Sequence, residues 1–122
     1  MKIAITAHGK DKQAVVDSRF GRADYFVLYD TEKRTWEAVS NTQNVEAAHG
    51  AGIQAGQTVA KAGAKILITG SVGPKAFKVL AAEGIEMYEY LGEKGTVEEA
   101  LKAMQAGECK KIVAAGAMGM GK

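Results

Sequence analysis

Three large aliphatic residues stand in a row at Ile66-Leu67-Ile68, flanked by Lys65 and Thr69. Successive side chains of a strand point to opposite faces, so an unbroken aliphatic run fits a strand covered on both sides. Helical patterns frame this strand. Upstream, Ala51, Ala55, Thr58, Val59 and Ala62 keep a helical spacing that begins near Gly50 or Ala51, and Gly63 stands where a C-terminal cap belongs. The small residues of this helix imply close packing on a sheet. Downstream, Gly70-Ser71-Val72-Gly73 turns the chain and Pro74 takes the first helical position. Ala76, Phe77, Leu80 and Ala81 then form a buried stripe, closed by Gly84. The pattern predicts an α/β sheet with helices against its faces.

The remaining segments extend the sheet. Residues 2–7 (KIAITA) read as a buried, central strand, 25–29 as a second, 35–40 as a third and 85–90 as a fifth. The polar turn 30–34 is short, so the second and third strands form an antiparallel hairpin. In the third, Trp36, Ala38 and Ser40 share one face and Glu37 and Val39 the other. Thr96-Val97-Glu98-Glu99 is a capping box, opening a helix that buries Val97, Ala100, Leu101 and Met104 and ends at Gly107. Residues 8–18 read as an irregular loop, and 109–115 as a short apolar segment. Two right-handed crossovers put strands one, four and five parallel. The expectation is one domain over 1–115, a five-stranded mixed sheet with helices on its faces, and a disordered tail at 116–122.

Composition removes several function classes. A net charge of +2 on 122 residues argues for neither nucleic acid nor a membrane surface. No apolar run approaches a membrane span, and the start MKIAITA lacks a signal peptide's apolar region. With its single cysteine compatible with a reducing compartment, the expected location is the cytoplasm. No HExxH or CxxC is present, the glycines at 70 and 73 match neither a Walker loop nor a dinucleotide fingerprint, and no serine sits in a nucleophile elbow. The expectation is therefore a non-enzymatic protein.

The densest polar constellation is Arg19-Phe20-Gly21-Arg22, directly before the second strand. Phe20 is the only large apolar residue between Val16 and Tyr25, so it is expected to anchor the loop on the body of the domain. The two guanidiniums would then stand at the rim, and Gly21 would supply a backbone conformation that a side chain forbids. A well-packed loop entering a strand is the plainer reading, and an anion site with Arg19 and Arg22 as forks the sharper one. Ligands of open α/β sheets gather beyond the carboxyl ends of the strands. There the loop 8–22, the turn 70–74 and the loop 91–95 would meet, joined by 41–52, which ends in His49-Gly50-Ala51-Gly52. Arg19, Arg22, His49 and the amides of Gly70, Ser71 and Gly73 suit an anion. His49 is either a metal ligand or an exposed loop residue. Cys109 reads as packing rather than ligation, and Met118 and Met120 as tail residues rather than soft donors.

The set Ser18-Arg19-Phe20-Gly21-Arg22-Ala23, Tyr25-Phe26, Asn41, His49-Gly50-Ala51-Gly52, Gly70-Ser71-Val72-Gly73 and Thr96-Val97-Glu98-Glu99-Ala100, in that order and spacing, resembles the dinitrogenase iron–molybdenum cofactor biosynthesis family. The nitrogenase accessory factor-like resemblance covers residues 1 to 108. It implies a three-layer ribonuclease H-like fold, with a five-stranded mixed sheet in order 3-2-1-4-5 and strand two antiparallel. It also implies a carrier for iron–molybdenum cofactor or its iron–sulfur precursor, exchanging this cargo with assembly proteins as a monomer or weak dimer. Family members that serve nitrogenase use a histidine directly before Phe-Gly as ligand. Arg19 stands there, and an arginine does not ligate iron. Charge pairing by Arg19 and Arg22 is left, with His49 or Cys109 as substitute ligand. The alternative is a binding protein, sensor or enzyme for a small phosphate-bearing ligand at the turn 70–74. Nuclease chemistry is disfavoured, because strand one offers Ile3, Ile5 and Thr6 where a metal-binding carboxylate would be needed.

Overall fold

A computed structural model describes residues 1–41, 51–90 and 95–114. Strand β1 (Lys2–Ala7) lies between two partners. It runs antiparallel to β2 (Tyr25–Asp30), with Ile3 opposite Tyr29 and Ile5 opposite Val27. It runs parallel to β4 (Ala64–Thr69), with Ile5 opposite Ile68. Outside β2 lies β3 (Thr35–Ser40), antiparallel, with Trp36 opposite Tyr29 and their rings 4.7 Å apart. Outside β4 lies β5 (Glu86–Glu89), parallel. These five follow the expected order and directions.

The sheet has a sixth strand, β6 (Lys110–Lys111), so its order is β3-β2-β1-β4-β5-β6. It pairs antiparallel with β5, Lys110 opposite Glu89, and the pairing continues in the amide of Ile112, which donates to the Met87 carbonyl at 2.8 Å. The segment was expected to be merely short and apolar. Its pairing residues are two exposed lysines, which carry no alternating pattern to read.

Helix α1 (Ala51–Lys61) and helix α2 (Pro74–Ala82) cover one face of the sheet, and helix α3 (Val97–Gln105) covers the other. Alternation divides the strands between two cores. Ala4, Phe26, Leu28, Leu67 and Met87 pack with Ala55, Val59, Ala76 and Leu80. Ile3, Ile5, Ala7, Val27 and Ile68 pack with Val97, Ala100 and Leu101. Both faces of β1, β2 and β4 are thereby buried, which is why apolar side chains fall on both faces of those strands. The small residues of α1 serve a second contact as well as the sheet. A Cβ at Gly52 would lie 3.1 Å from the Ala76 Cβ, and one at Gly56 2.9 Å from Val79 Cγ1, so α1 lies directly against α2. The Thr96–Glu99 capping box forms as expected, with Thr96 N–H donating to Glu99 Oε1 at 2.8 Å and Glu99 N–H to Thr96 Oγ1 at 3.2 Å. Residues 42–50, 91–94 and 115–122, and with them the expectations for His49, Gly50, Met118, Met120 and the tail, lie outside the described residues.

Candidate functional site

The parallel arrangement of β1, β4 and β5 aligns their carboxyl ends at Ala7, Thr69 and Glu89. The segment 8–22 crosses this edge; its first part, 8–18, is irregular as expected, and backbone hydrogen bonds hold it. His8 N–H donates to the Val15 carbonyl at 2.9 Å, and Asp17 N–H to the Thr6 carbonyl at 2.9 Å. Val16 N–H donates to Gly95 and Val97 N–H to Ala14, each at 2.9 Å, tying the segment to the start of α3. The chain then passes over Gly70. Ser71 N–H donates to the Ser18 carbonyl at 2.9 Å, and a Cβ on Gly70 would lie 2.5 Å from that same oxygen. Only glycine admits Ser18 there.

Phe20 closes the crossing as the expected anchor. It is 2% exposed and its ring lies 5.5 Å from that of Phe26. Gly21 has a different role from the one expected. Among the described residues, positive φ is confined to Arg34, Gly63, Gly84 and Gly107, so Gly21 does not need glycine's conformational freedom. It needs glycine's size: a Cβ there would stand 3.1 Å from the Gly52 nitrogen and 3.2 Å from its Cα. Asn41, fully buried at the end of β3, holds the loop from behind, its Nδ2 donating to the Ala23 carbonyl at 2.8 Å and the Gly21 carbonyl at 3.4 Å.

These contacts leave a recess of about 290 Å³ lined by Phe20, Gly21, Gly52, Gly73, Pro74, Lys75 and Ala76. It lies where the starts of α1 and α2 meet the Arg19–Arg22 loop. A second cleft of about 280 Å³ is lined by Gly70, Ser71, Val72, Glu89, the two β6 lysines and residues 112–114.

Arg19 does not stand free for an anion. Its backbone N–H donates to Asp17 Oδ1 at 2.9 Å, its Nε to the same oxygen at 3.1 Å, and its Nη2 to Oδ2 at 3.1 Å. The hydrogen bonds and charge of Asp17 hold the Arg19 pKa above its usual value. Asp17 itself is 1% exposed. Sequence reasoning missed this partner, although Asp-x-Arg is a legible signal: an aspartate commonly accepts from the amide two residues on. Arg22 is exposed, and its amide donates to the Arg19 carbonyl at 3.3 Å.

Residues 1–107 match the family described as dinitrogenase iron-molybdenum cofactor. The chain belongs to this family. The apo form of the orange protein from Desulfovibrio gigas is 41% identical, with a TM-score of 0.90 over 95% of this chain and 96% of that one. A NifB-like protein from Thermotoga, solved by NMR, is 38% identical, with a TM-score of 0.84 over 97% and 98% of the two chains. An uncharacterised protein of Methanocaldococcus jannaschii is 27% identical over 96 residues, 76% of this chain and 79% of that one. Membership links the chain to iron–molybdenum cofactor-related processes.

Within this family member the proposed site residues divide. Phe20, Gly21 and Gly73 line the first recess, while Gly70 and Ser71 line the second cleft. Of the expected cradle of amides at 70–73, Ser71 N–H is engaged by Ser18 and Gly70 is covered by it, while Gly73 stands open at the recess. Lys75, Gly52 and Asn41 were missed as site residues; of these, Gly52 and Asn41 had drawn notice, as part of the family pattern. Cys109 is half-buried, and burial, with Glu108 adding, pushes its thiol pKa up, disfavouring the thiolate that a metal requires. Among the described residues no three His, Cys, Asp or Glu side chains gather around a point that could hold a metal ion, and no helix is long and apolar enough to cross a membrane.

Proposed function

We propose that this protein is a non-enzymatic carrier that holds an anionic metallocluster of the iron–molybdenum cofactor or iron–sulfur precursor type and passes it between assembly proteins in the cytoplasm. The observation that carries this reading is the recess at Phe20, Gly21, Gly52 and residues 73–76. Its walls are main chain and apolar side chain, and Lys75 is its cation, with no ion pair among the described residues. None of these lining residues bears an acid, imidazole, thiol or hydroxyl. Such a surface recognises shape and negative charge, and Lys75 is the one ionisable group among its lining residues. The recess also receives the starts of two helices, where amide dipoles favour an anion. A relative of 41% identity solved in an apo form supports a ligand-bound state for this fold.

The test is an anaerobic titration of the purified protein with isolated iron–molybdenum cofactor and, separately, with an iron–sulfur precursor, read by visible absorption and by iron content after desalting. Uptake near one equivalent is expected, weaker in Lys75→Ala at unchanged melting temperature. Iron content no higher than in a desalted control protein, for both cargoes, would overturn the carrier reading.

A further inference from the structure

Asp17 is a buried carboxylate with its orientation fixed from several directions. Its backbone amide donates to Thr6, its carbonyl accepts from the Thr6 hydroxyl, and its side-chain oxygens take three hydrogen bonds from Arg19. The recess chemistry makes no use of it. Among the described residues, one further group faces this carboxylate: His8 Nδ1, 3.5 Å from Oδ2. His8 is half-exposed, and its main chain is fixed by the bond to Val15.

We infer that His8 is the side-chain ligand by which the protein anchors its cargo, and that Asp17 positions it; this rests on the carrier reading above. The tautomer follows from electrostatics. A ring nitrogen lone pair turned toward an anionic oxygen is repelled, whereas an N–H there is attracted. The proton therefore sits on Nδ1, and the lone pair is left on Nε2. A carboxylate behind one ring nitrogen is how proteins orient an imidazole whose other nitrogen binds a metal. Ala4 lies on the sheet face where Phe20 packs, and His8 follows β1 directly at its carboxyl end. Phe20 also lines the recess. The imidazole and the recess thus stand at the same edge of the sheet, joined by the segment from Asp17 to Phe20.

One imidazole is too few for a lone ion, which takes three or four protein donors, and the described residues gather no such set. A cluster brings its own sulfides and needs only one vacant coordination position filled. In that exchange the Nε2–metal bond forms, a terminal thiolate or solvent ligand of the cluster leaves, and neither proton nor electron moves. Arg19, held on the same carboxylate and largely exposed, adds a positive charge beside the bond.

The chain has two histidines, so 15N-histidine labelling resolves them. In the protein without cargo, long-range proton–nitrogen correlation should show His8 protonated at Nδ1, and Asp17→Asn should move it toward the Nε2–H form. On anaerobic titration with isolated iron–molybdenum cofactor, the paramagnetic cluster should show 15N hyperfine coupling that is lost in His8→Ala. Affinity should fall about 10- to 100-fold in Asp17→Asn. If Asp17→Asn does not fold, His8→Ala decides alone, since His8 is half-exposed and its replacement leaves the core intact. Wild-type uptake with coupling and affinity unchanged in His8→Ala would overturn this inference and leave the carrier reading standing. Coupling that vanishes in His49→Ala instead would also overturn it. No uptake by wild type would overturn both.

Discussion

The crossing at 17–22 and the hairpin turn at 31–34 are both irregular segments between strands, and they are held by different means. The crossing is fixed from outside. Ser18 lies on Gly70, Gly21 on Gly52, Phe20 in the core, and Asn41 holds the Gly21 carbonyl and, just beyond the crossing, that of Ala23. The turn is held mostly from within. Asp30 Oδ1 accepts from the amides of Glu32 at 2.9 Å and Lys33 at 3.1 Å, and Arg34 N–H returns to the Asp30 carbonyl at 2.7 Å. A loop placed by tertiary contacts can present a preorganised surface at the edge of a sheet. A loop placed by its own hydrogen bonds reverses the chain and presents little.

If that contrast is right, the largest losses come from the crossing. Phe20→Ala removes a side chain only 2% exposed and should cost about 3–5 kcal/mol, read as a lower urea midpoint at unchanged slope. A loss under about 1 kcal/mol would mean that the loop is not anchored by its aromatic ring. Gly70→Ala is next. Its Cβ would meet the Ser18 oxygen at 2.5 Å and the Ser18 Cβ at 2.6 Å, so the crossing must lift. The expected cost is about 1–3 kcal/mol. The accompanying signature is faster hydrogen exchange of the Ser71 amide, whose acceptor is Ser18. Destabilisation with Ser71 exchange unchanged would place the strain elsewhere.

The same contrast explains what could be read in advance. The β2–β3 hairpin, the caps of α2 and α3 and the five-strand order rest on local chemistry or alternation, which a single sequence displays. Phe20 was legible as an anchor because an isolated large apolar residue in a polar loop has few other roles. Gly21 was legible as necessary but not for the right reason, since its neighbour Gly52 is 31 residues away and only the fold brings them together. The pairing of Arg19 with Asp17 was local and could have been found; the arginine was read for its charge before its neighbours were asked where that charge goes. The recess itself was not legible, because it joins three segments distant in sequence.

The turn should respond to pH rather than to packing. The amides of Lys33 and Glu32 stabilise the Asp30 carboxylate and hold its pKa below the usual value. The folded pKa lies below the unfolded one, so this contribution is fully present above the ordinary aspartate range. It is lost as pH falls through the folded value. Wild type should therefore exceed Asp30→Asn in stability near neutral pH, by less than either substitution in the crossing costs, and the difference should shrink as the solution is acidified. A difference independent of pH would make Asp30 a neutral hydrogen-bond acceptor only.

Arg34 gives the smallest effect and the opposite sign. Its φ of 58° puts a side-chain-bearing residue in the left-handed region just before β3. That conformation costs a non-glycine residue roughly 1–2 kcal/mol. Arg34→Gly would remove this strain, while glycine's greater freedom in the unfolded chain takes back about 0.5–1 kcal/mol. The difference leaves a net gain of about 0.5 kcal/mol, visible as a small rise in melting temperature. Because the turn does not contact the crossing, the same substitution should leave cargo affinity unchanged. A glycine that weakened binding would show that the two loops are coupled through β2, and the division between a locally held turn and a tertiary-held crossing would have to be abandoned.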